Sequence, residues 1–319
     1  IGLFSEAINF GGLRLAGDIT VGDTLSLSQY SEQITQVSGS VTAPNLRAVA
    51  PGGVSINGVA NQIGNLTEAS GYLVDVRTTG NLRVVGPVST NNAASTITAD
   101  GDMDVTGSVT GLGGVALRAG GSIRLAGGST VQVSGDGFGA VSVLAGFDPV
   151  LNDSNLARAG SLTMAGLVGN AAQPGTVRLG AGTGGIAQTG GRLVASNLSA
   201  RSGGTSALNG AAAGTPNQVA ALNGLAGNLS LDNGASDLVI GSSGSLTLTG
   251  GSFVEIRAGN VSMFPSASLT ATDRISFQVD GLSLQPFSGT PAGIAAPQVD
   301  IAPRTAGSVA VGTTDRPEP

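Results

Sequence analysis

The sequence predicts an all-β fold, a parallel β-helix (β-solenoid) with glycine-rich turns. Three observations predict it: short apolar–polar–apolar segments recur between glycines, one longer phrase occurs twice, and helical periodicity is nearly absent. Helices are disfavoured because each interior glycine costs a helix about 1 kcal/mol, and the 319 residues include 53 glycines. At 40% hydrophobic residues, the chain has enough apolar material for a core, unlike a disordered glycine-rich chain.

Each short segment is predicted to form one strand bounded by turns. In GGLRLAG (11–17), GNLRVVG (80–86) and GSLTLTGG (244–251), apolar and polar residues alternate, so one face of each strand points inward. Such strands allow a sandwich, a barrel or a solenoid. The density of the repeat favours the solenoid, because inward positions must match from coil to coil. Coils of about 20 residues predict roughly 13–14 coils and a rod on the order of 65 Å long.

A longer phrase at residues 34–48 recurs at residues 186–200 with seven identities in fifteen positions. The identities include Gln36/Gln188, and the match continues from NQIGNL (61–66) to NQVAAL (217–222) after a short insertion at 211–216. Self-similarity of this kind is typical of repeat proteins. We therefore predict a single elongated β-helix over residues 1–285, built of two related blocks at about 30–150 and 182–285.

Both ends of the chain differ from the repeats. The apolar residues 1–17 are expected to cap the first coil, and since the chain begins at Ile1 rather than Met we take it to be a processed product or a fragment. Residues 286–319 hold six of the 13 prolines and are predicted to be an extended tail or linker, because proline cannot donate to a strand ladder. Within this tail, QVDIA (298–302) and SVAVG (308–312) have the pattern of strands that could add to a sheet.

Charge and composition exclude several classes of function. The net charge of −6 argues against nucleic acid as a partner, and no apolar run is long enough for a membrane span. The lack of cysteine excludes disulfides, and it fits an exported bacterial protein and a cytosolic one equally well. Without His, no Ser–His or Cys–His pair can form. Without Lys, GAGTGG (180–185) cannot be a phosphate-binding P-loop, so it is predicted to be a solenoid corner.

One tight acidic cluster stands out. Asp100, Asp102 and Asp104 alternate and are predicted to share one strand face, where they could bind calcium or serve a β-helical polysaccharide lyase or hydrolase. The ligand set is incomplete, so a solvated strand face is the preferred interpretation. GDGFG (135–139) occurs once, whereas calcium β-rolls need tandem copies. We therefore assign no catalytic, cofactor-binding or metal-binding residue, and predict that the protein is not an enzyme.

Two segments interrupt the strand pattern. Residues 147–158 contain no glycine and are predicted to leave the rod as a loop, and residues 211–216 form the insertion noted above. Loops carry binding functions more often than scaffold strands do, so both are candidates for receptor or subunit contacts, with plain connecting loops as the alternative. Asparagines that begin Asn-x-Ser/Thr triplets are predicted to occupy turns or stacked asparagine ladders rather than to carry glycans. They are Asn65, Asn152, Asn197, Asn228 and Asn260.

Three of these stretches resemble the filamentous-haemagglutinin-like exoproteins, large bacterial proteins exported by two-partner secretion. They are the Ile-x-Gln-x-Gly-Gly-x-Leu-x-Ala-x-x-Leu phrase at 186–198, NQVAAL at 217–222, and the ladder from GNLSL to GSLTLTGG (227–251). The likeness extends over most of residues 10–285. The resemblance implies a right-handed β-helix, export to the cell surface or medium, and an adhesive or filament-building role. The family's N-terminal secretion domain, with its Asn-Pro-Asn-Gly signature, has no match here.

Together these observations predict a non-catalytic extracellular structural protein, a subunit of a self-assembling surface filament or a fibrous adhesin. A solenoid exposes strand edges at its ends, so the expected partner is a second copy placed end to end, followed by a host or neighbouring cell surface. No cofactor is expected. A β-helical carbohydrate-binding or polysaccharide-degrading protein is the alternative, for which two Tyr, eight Phe and no Trp offer few stacking rings. A third hypothesis is one segment of a longer adhesin.

Overall fold

The computed structural model describes residues 2–5, 12–135, 139–241, 247–284, 292–305 and 307–312. These residues form a β-solenoid of about 13 coils in which 61% of the residues lie in strands. The predicted parallel β-helix is therefore confirmed. Across the described ranges, no helix has the length and apolar character that crossing a bilayer requires.

Thirty-five strands, β1–β35, follow one another along the described chain. The first eighteen are β1 Gly2–Ser5, β2 Leu13–Leu15, β3 Ile19–Thr20, β4 Thr24–Gln29, β5 Ile34–Gln36, β6 Val41–Ala50, β7 Val54–Ile56, β8 Gln62–Gly71, β9 Val74–Thr78, β10 Leu82–Val84, β11 Val88–Thr90, β12 Ser95–Ala99, β13 Met103–Val105, β14 Ser108–Gly111, β15 Gly114–Ala119, β16 Ile123–Leu125, β17 Thr130–Val133 and β18 Ala140–Ala145. The remainder are β19 Phe147–Asp148, β20 Asp153–Ser154, β21 Ser161–Met164, β22 Leu167–Val168, β23 Thr176–Ala181, β24 Gly185–Gln188, β25 Arg192–Leu208, β26 Gln218–Asp232, β27 Leu238–Ile240, β28 Thr247–Arg257, β29 Asn260–Met263, β30 Ser268–Thr270, β31 Arg274–Val279, β32 Gly281–Leu284, β33 Gly293–Ala295, β34 Gln298–Pro303 and β35 Ala310–Gly312.

Apart from the strands at the two ends and the β19–β20 hairpin, the strands stack in parallel columns and pair with strands one coil before and one coil after. Leu25 pairs with Leu46, and Leu46 pairs with Leu66, at separations of 21 and 20 residues. All three leucines are buried, because alternate positions of each strand face the interior. In the part of the chain that the structure describes, the short hairpin of β19 and β20 is the one antiparallel pair.

One continuous stack of paired residues runs along the solenoid from β2 to β32. It contains one residue from each coil in between, and every member except a serine is apolar. Its members are Leu13, Ile34, Val54, Val74, Ser95, Val115, Val141, Val177, Leu198, Leu222, Ile240, Met263 and Leu284. At about 4.8 Å per coil, such a stack is on the order of 60 Å long.

The coil that contains residues 147–158 is much longer than the others. Ile123 pairs with Leu162, 39 residues later, yet the ladder from Ile123–Leu125 continues in register into the next coil. The additional residues leave the rod between β18 and β21 and return to the same column. The predicted excursion of residues 147–158 is confirmed, and it folds as the β19–β20 hairpin.

The ladder continues past residue 285, where the sequence predicted a proline-rich extended tail. β33, β34 and β35 pair in parallel with β30, β31 and β32. The expectation that QVDIA and SVAVG add as strands is confirmed. Pro303 stands at the last position of β34, on an edge strand where a missing N–H is tolerated. At the other end, β1 pairs with β4, while residues 1 and 6–11 of the predicted cap lie outside the described residues.

Candidate functional site

The β19–β20 hairpin packs back onto the side of the solenoid and is held from two directions. On one side, the guanidinium of Arg118 in β15 lies 5.0 Å from the centre of the buried Phe147 ring, a cation–π contact. On the other, Arg178 and Arg201 of later coils both form ion pairs with Asp153, at 2.7 Å for Arg201 Nη1 to Asp153 Oδ2. The hairpin is therefore held against the rod by contacts with coils before and after it.

Between the hairpin and the rod lies a cavity of about 740 Å³, called here the hairpin groove. Its floor is made of outward-facing side chains of β9, β12 and β15, arranged in rows by the strand register. One row contains Arg77, Thr98 and Arg118, which pair across successive coils. The other contains Asp75 and Thr96. The remaining lining includes Asn57, Asp100, Phe147, Asp148, Val150, Asn152 and Arg158.

Of the three arginines that line the hairpin groove, two form ion pairs with acidic residues. Arg77 Nη2 lies 3.1 Å from Asp100 Oδ1, and Arg158 Nη2 lies 3.5 Å from Asp148 Oδ2. Arg118 forms no ion pair within the described residues, and its Nε is buried without a hydrogen-bond partner there. The Nε of Arg77 is also buried without a hydrogen-bond partner, but Arg77 has Asp100 as its ion-pair partner. Arg118 is therefore the arginine of the groove that has no acidic partner among the described residues.

Asp148 stabilises the turn of the hairpin. Its carboxylate accepts hydrogen bonds from the Val150 backbone N–H at 2.9 Å and from Asn155 Nδ2 at 3.2 Å. These bonds, the one from Val150 foremost, with Arg158 nearby, lower the pKa of Asp148 below its ordinary value. The ionised carboxylate therefore closes the hairpin at neutral pH. Asn152 completes the turn with a positive φ of 50°, a conformation that asparagine tolerates better than most residues.

The predicted acidic cluster is divided by a turn. Asp100 follows β12, Gly101 and Asp102 form the connection, and Asp104 lies in β13, so the expectation of one shared strand face was wrong. Each carboxylate bonds to another coil: Asp100 to Arg77, Asp104 to Arg83 and Arg124, and Asp102 to the Ser122 N–H. Among the described residues, no three acidic, His or Cys side chains converge as metal ligands.

The duplicated phrase places the same pair of amides inside the rod twice. Gln36 and Asn61 exchange two hydrogen bonds of 2.9 Å, and Gln188 and Asn217 exchange two of the same length. The Oδ1 of Asn61 also accepts from the Val41 N–H, as that of Asn217 does from the equivalent Leu193 N–H. Both asparagines are buried. The repeat therefore preserves a structural polar core, which supports the alignment of the two phrases.

Asparagine stacking occurs at two of the five Asn-x-Ser/Thr positions. Asn65 Nδ2 donates to Asn45 Oδ1 at 3.0 Å, and Asn223 Nδ2 donates to Asn197 Oδ1 at 2.5 Å. Each bond joins neighbouring coils, as predicted for an asparagine ladder. Asn260 instead bonds to Asp237, and Asn228 lies 3.5 Å from Thr205 Oγ1.

Two further predicted segments form turns between strands, and the centre of a third lies outside the described residues. GAGTGG (180–185) is a corner between β23 and β24, with Gly185 at a φ of 75°, so the predicted solenoid corner is confirmed. Residues 211–216 form an exposed turn between β25 and β26, where the Pro216 carbonyl accepts from Arg192 Nε at 3.1 Å. The centre of GDGFG, residues 136–138, lies outside the described residues.

The last coil exposes core positions. Val299 and Ile301 of β34 pair with the buried Ile275 and Phe277 of β31, yet they are 42% and 40% exposed. Val311 of β35 pairs with the buried Leu282 and is 60% exposed. Among the described residues, no further coil covers these side chains.

Compared with known proteins, the chain shows no significant match to a protein-family model, a curated protein or a solved structure. The likeness to the filamentous-haemagglutinin-like exoproteins therefore rests on the quoted sequence phrases. The groove residues Arg77 and Arg118 were not anticipated from the sequence. The sequence pattern did not distinguish them, because each is one of many outward-facing polar residues in alternating strands.

Proposed function

We propose that this chain is a non-catalytic structural protein that forms a filament or a fibrous adhesin by end-to-end stacking of solenoids. The observation that carries the proposal is the apolar end formed by Val299, Ile301 and Val311. A solenoid buries its core by stacking one coil on the next, and a second copy placed on this end would continue the same stack.

The backbone at this end supports the same conclusion. Within the described residues, β33, β34 and β35 each pair on one side only, and β1, β2 and β3 do so at the opposite end. Unpaired strand edges present N–H and C=O groups that template further pairing. Because all six strands belong to parallel columns, the two ends offer edges of matching direction. Stacking would therefore bury apolar side chains and complete backbone hydrogen bonds together.

The proposed non-catalytic role is supported by the bonds that the carboxylates of the acidic cluster make within the solenoid. The acidic cluster of Asp100, Asp102 and Asp104 bonds to side chains and backbone of neighbouring coils, where it stabilises stacking. We place the filament outside the cell because of the resemblance to exported bacterial exoproteins. A turnover assay against uronate polymers tests the catalytic alternative, for which we expect no product.

Electron microscopy of the purified protein at increasing concentration tests the assembly. We expect fibres whose axial repeat is close to one rod length, and Ile301→Asp should abolish them by placing a charge in the stacking surface. Val150→Asp is the matched control, because Val150 is 90% exposed on the hairpin, away from the ends. Short isolated rods at every concentration would contradict the proposal, as would fibres that persist in Ile301→Asp.

A further inference from the structure

We propose that the hairpin groove binds a saccharide that carries a carboxylate, with Arg118 holding the carboxylate and the neighbouring polar side chains binding the hydroxyls. The groove lies on the side of the rod, so this binding goes beyond the end-to-end assembly proposed above. Its volume of about 740 Å³ falls within the range typical of small-ligand sites.

Arg118 is suited to a carboxylate because its guanidinium is fixed and lacks an acidic partner. The Phe147 ring, 5.0 Å from its Cζ, positions the guanidinium at the groove. Arg118 forms no ion pair within the described residues, and its Nε is buried, so its Nη groups are the donors that a ligand could reach. The planar fork of N–H groups on arginine matches a carboxylate in a bidentate pair. A carboxylate in the groove would therefore supply the acidic partner that this guanidinium lacks.

The rest of the groove suits hydroxyl groups better than further anions. Asp75 accepts a hydrogen bond from Asn57 and Asp100 pairs with Arg77, and both carboxylates keep lone pairs for a further donor. Thr96 and Thr98 supply neutral donors and acceptors. A sugar hydroxyl can donate to a carboxylate and accept from a hydroxyl or an amide. A polyphosphate chain would meet the Asp75, Asp100 and Asp148 charges and a net protein charge of −6. This disfavours nucleic acid.

An extended peptide is disfavoured by the backbone of the groove floor. Peptides commonly bind by adding a strand to an exposed sheet edge. β12, in the middle of the floor, pairs with β9 on one side and β15 on the other, so it offers no edge. Recognition must therefore come from side chains, and these are polar groups arranged in rows at the coil spacing of about 4.8 Å.

A second groove provides an internal comparison. It has a volume of about 330 Å³ and is lined by Asp232, Glu255, Arg257 and Arg274, among others. Both arginines form ion pairs there, Arg257 with Asp232 and Arg274 with Glu255. The second groove thus shares the strand geometry and the residue types but has its guanidinium groups occupied. Arg257 is the matched control for Arg118.

Calorimetric titration with a galactose oligomer that carries a single galacturonate residue, a neutral galactose oligomer of equal length and acetate tests the proposal. The titrations use the Ile301→Asp variant, so that failure of binding is distinct from failure of assembly. We expect the monocarboxylate oligomer to bind, and the neutral oligomer and acetate to bind at least about tenfold more weakly. Arg118→Gln should weaken binding of the monocarboxylate oligomer by about 10- to 100-fold, the range for hydrogen bonds to a charged group. Arg257→Gln should leave it unchanged.

Arg118→Lys keeps the charge and the aliphatic stem, so it serves if Arg118→Gln does not fold. It should weaken binding to an intermediate degree, because a lysine cannot form the bidentate pair. Absence of binding by the monocarboxylate oligomer would overturn the proposal. Equal binding of acetate would show that the groove recognises an anion without the sugar. Equal losses of affinity in Arg118→Gln and Arg257→Gln would show non-specific electrostatic attraction. Either result also rejects a saccharide site at Arg118.

Discussion

Gln36 and Asn61 form two reciprocal amide hydrogen bonds inside the solenoid, 25 residues apart in sequence. Gln188 and Asn217 repeat the arrangement. A buried amide is stable only when its donors and acceptors are satisfied, and in each pair the asparagine also bonds to backbone groups of adjacent strands. The two pairs thus fix the same corner of the coil at two places in the rod.

Asn217→Ala is expected to destabilise the protein strongly. The change leaves the Gln188 amide and the Leu193 N–H without their buried partner, and each orphaned group costs about 1–3 kcal/mol. Denaturant unfolding followed by circular dichroism measures the effect. Asn209→Ala is the control, because Asn209 is exposed and bonds through its side chain to Ser230, and it should change stability by less than about 0.5 kcal/mol. Equal losses in the two variants would show that the amide pair has no special role.

Gly86→Ala is expected to disrupt the stacking of neighbouring coils. A Cβ at Gly86 would overlap the carbonyl oxygen of Thr67 in the preceding coil, so the backbone would have to move. We expect a loss of about 3 kcal/mol or more, at the upper end of overpacking costs. Gly127→Ala is matched to it, since a Cβ there meets no atom within 4 Å. Thermal unfolding should separate the two variants clearly. A Gly86→Ala protein as stable as Gly127→Ala would contradict the close approach of Gly86 to the Thr67 carbonyl oxygen.

Acid should open the β19–β20 hairpin. Because the pKa of Asp148 in the folded protein is lowered from 3.8, the carboxylate stabilises the hairpin above that pH, and the contribution is lost as the pH falls through the lower folded value. Hydrogen exchange of peptides covering residues 147–158, corrected for intrinsic rates, should show protection decreasing below pH 3.8. In Asp148→Asn, protection should already be low at pH 7, without an acid step. Protection that is unchanged down to pH 2 would contradict this role of Asp148.

Removing the ion pair of the last coil should loosen that coil locally. Arg304 Nη2 lies 2.7 Å from Asp280 Oδ2, and Thr305 Oγ1 donates to the same carboxylate, so Arg304→Gln removes the clamp that holds β34 against β31. Hydrogen exchange in residues 298–303 should accelerate while the middle of the rod keeps its protection, because each coil contacts only its neighbours. Arg124→Gln is the control, since it breaks an exposed ion pair with Asp104 in mid-rod. Similar acceleration of residues 298–303 in that variant would contradict the assignment.

The fold could be predicted because its determinants are local. Alternation of apolar residues in segments such as GNLRVVG gives the inward positions directly, and recurring glycines mark the corners. The acidic cluster shows where this failed. Alternation alone placed Asp100, Asp102 and Asp104 on one strand, but the chain bends at Gly101, so the three carboxylates bond to different residues.

The site could not be predicted, because it depends on distances between coils. The sequence alignment equated Gln36 with Gln188, and Asn61 with Asn217. Contact within each pair, however, follows from coil lengths that are known only once the register is set. Arg118 belongs to a groove because the hairpin at Phe147 folds back over β15, and no local pattern encodes that direction. What the sequence did contain was the interruption itself, twelve residues without glycine.

Because the strands on either side of the hairpin keep the same register, this segment can change in length over generations while the coils stay in place. Ile123–Leu125 stacks on Leu162–Met164 although 39 residues separate the partners, so the scaffold accepts an excursion of nearly a full coil's length without altering its neighbours. The turn between Asp148 and Asp153 is thus a site at which inserted residues would be tolerated. Foreign peptides inserted there would be displayed on a rigid shaft, and diversification of this segment need not disturb the shaft that carries it.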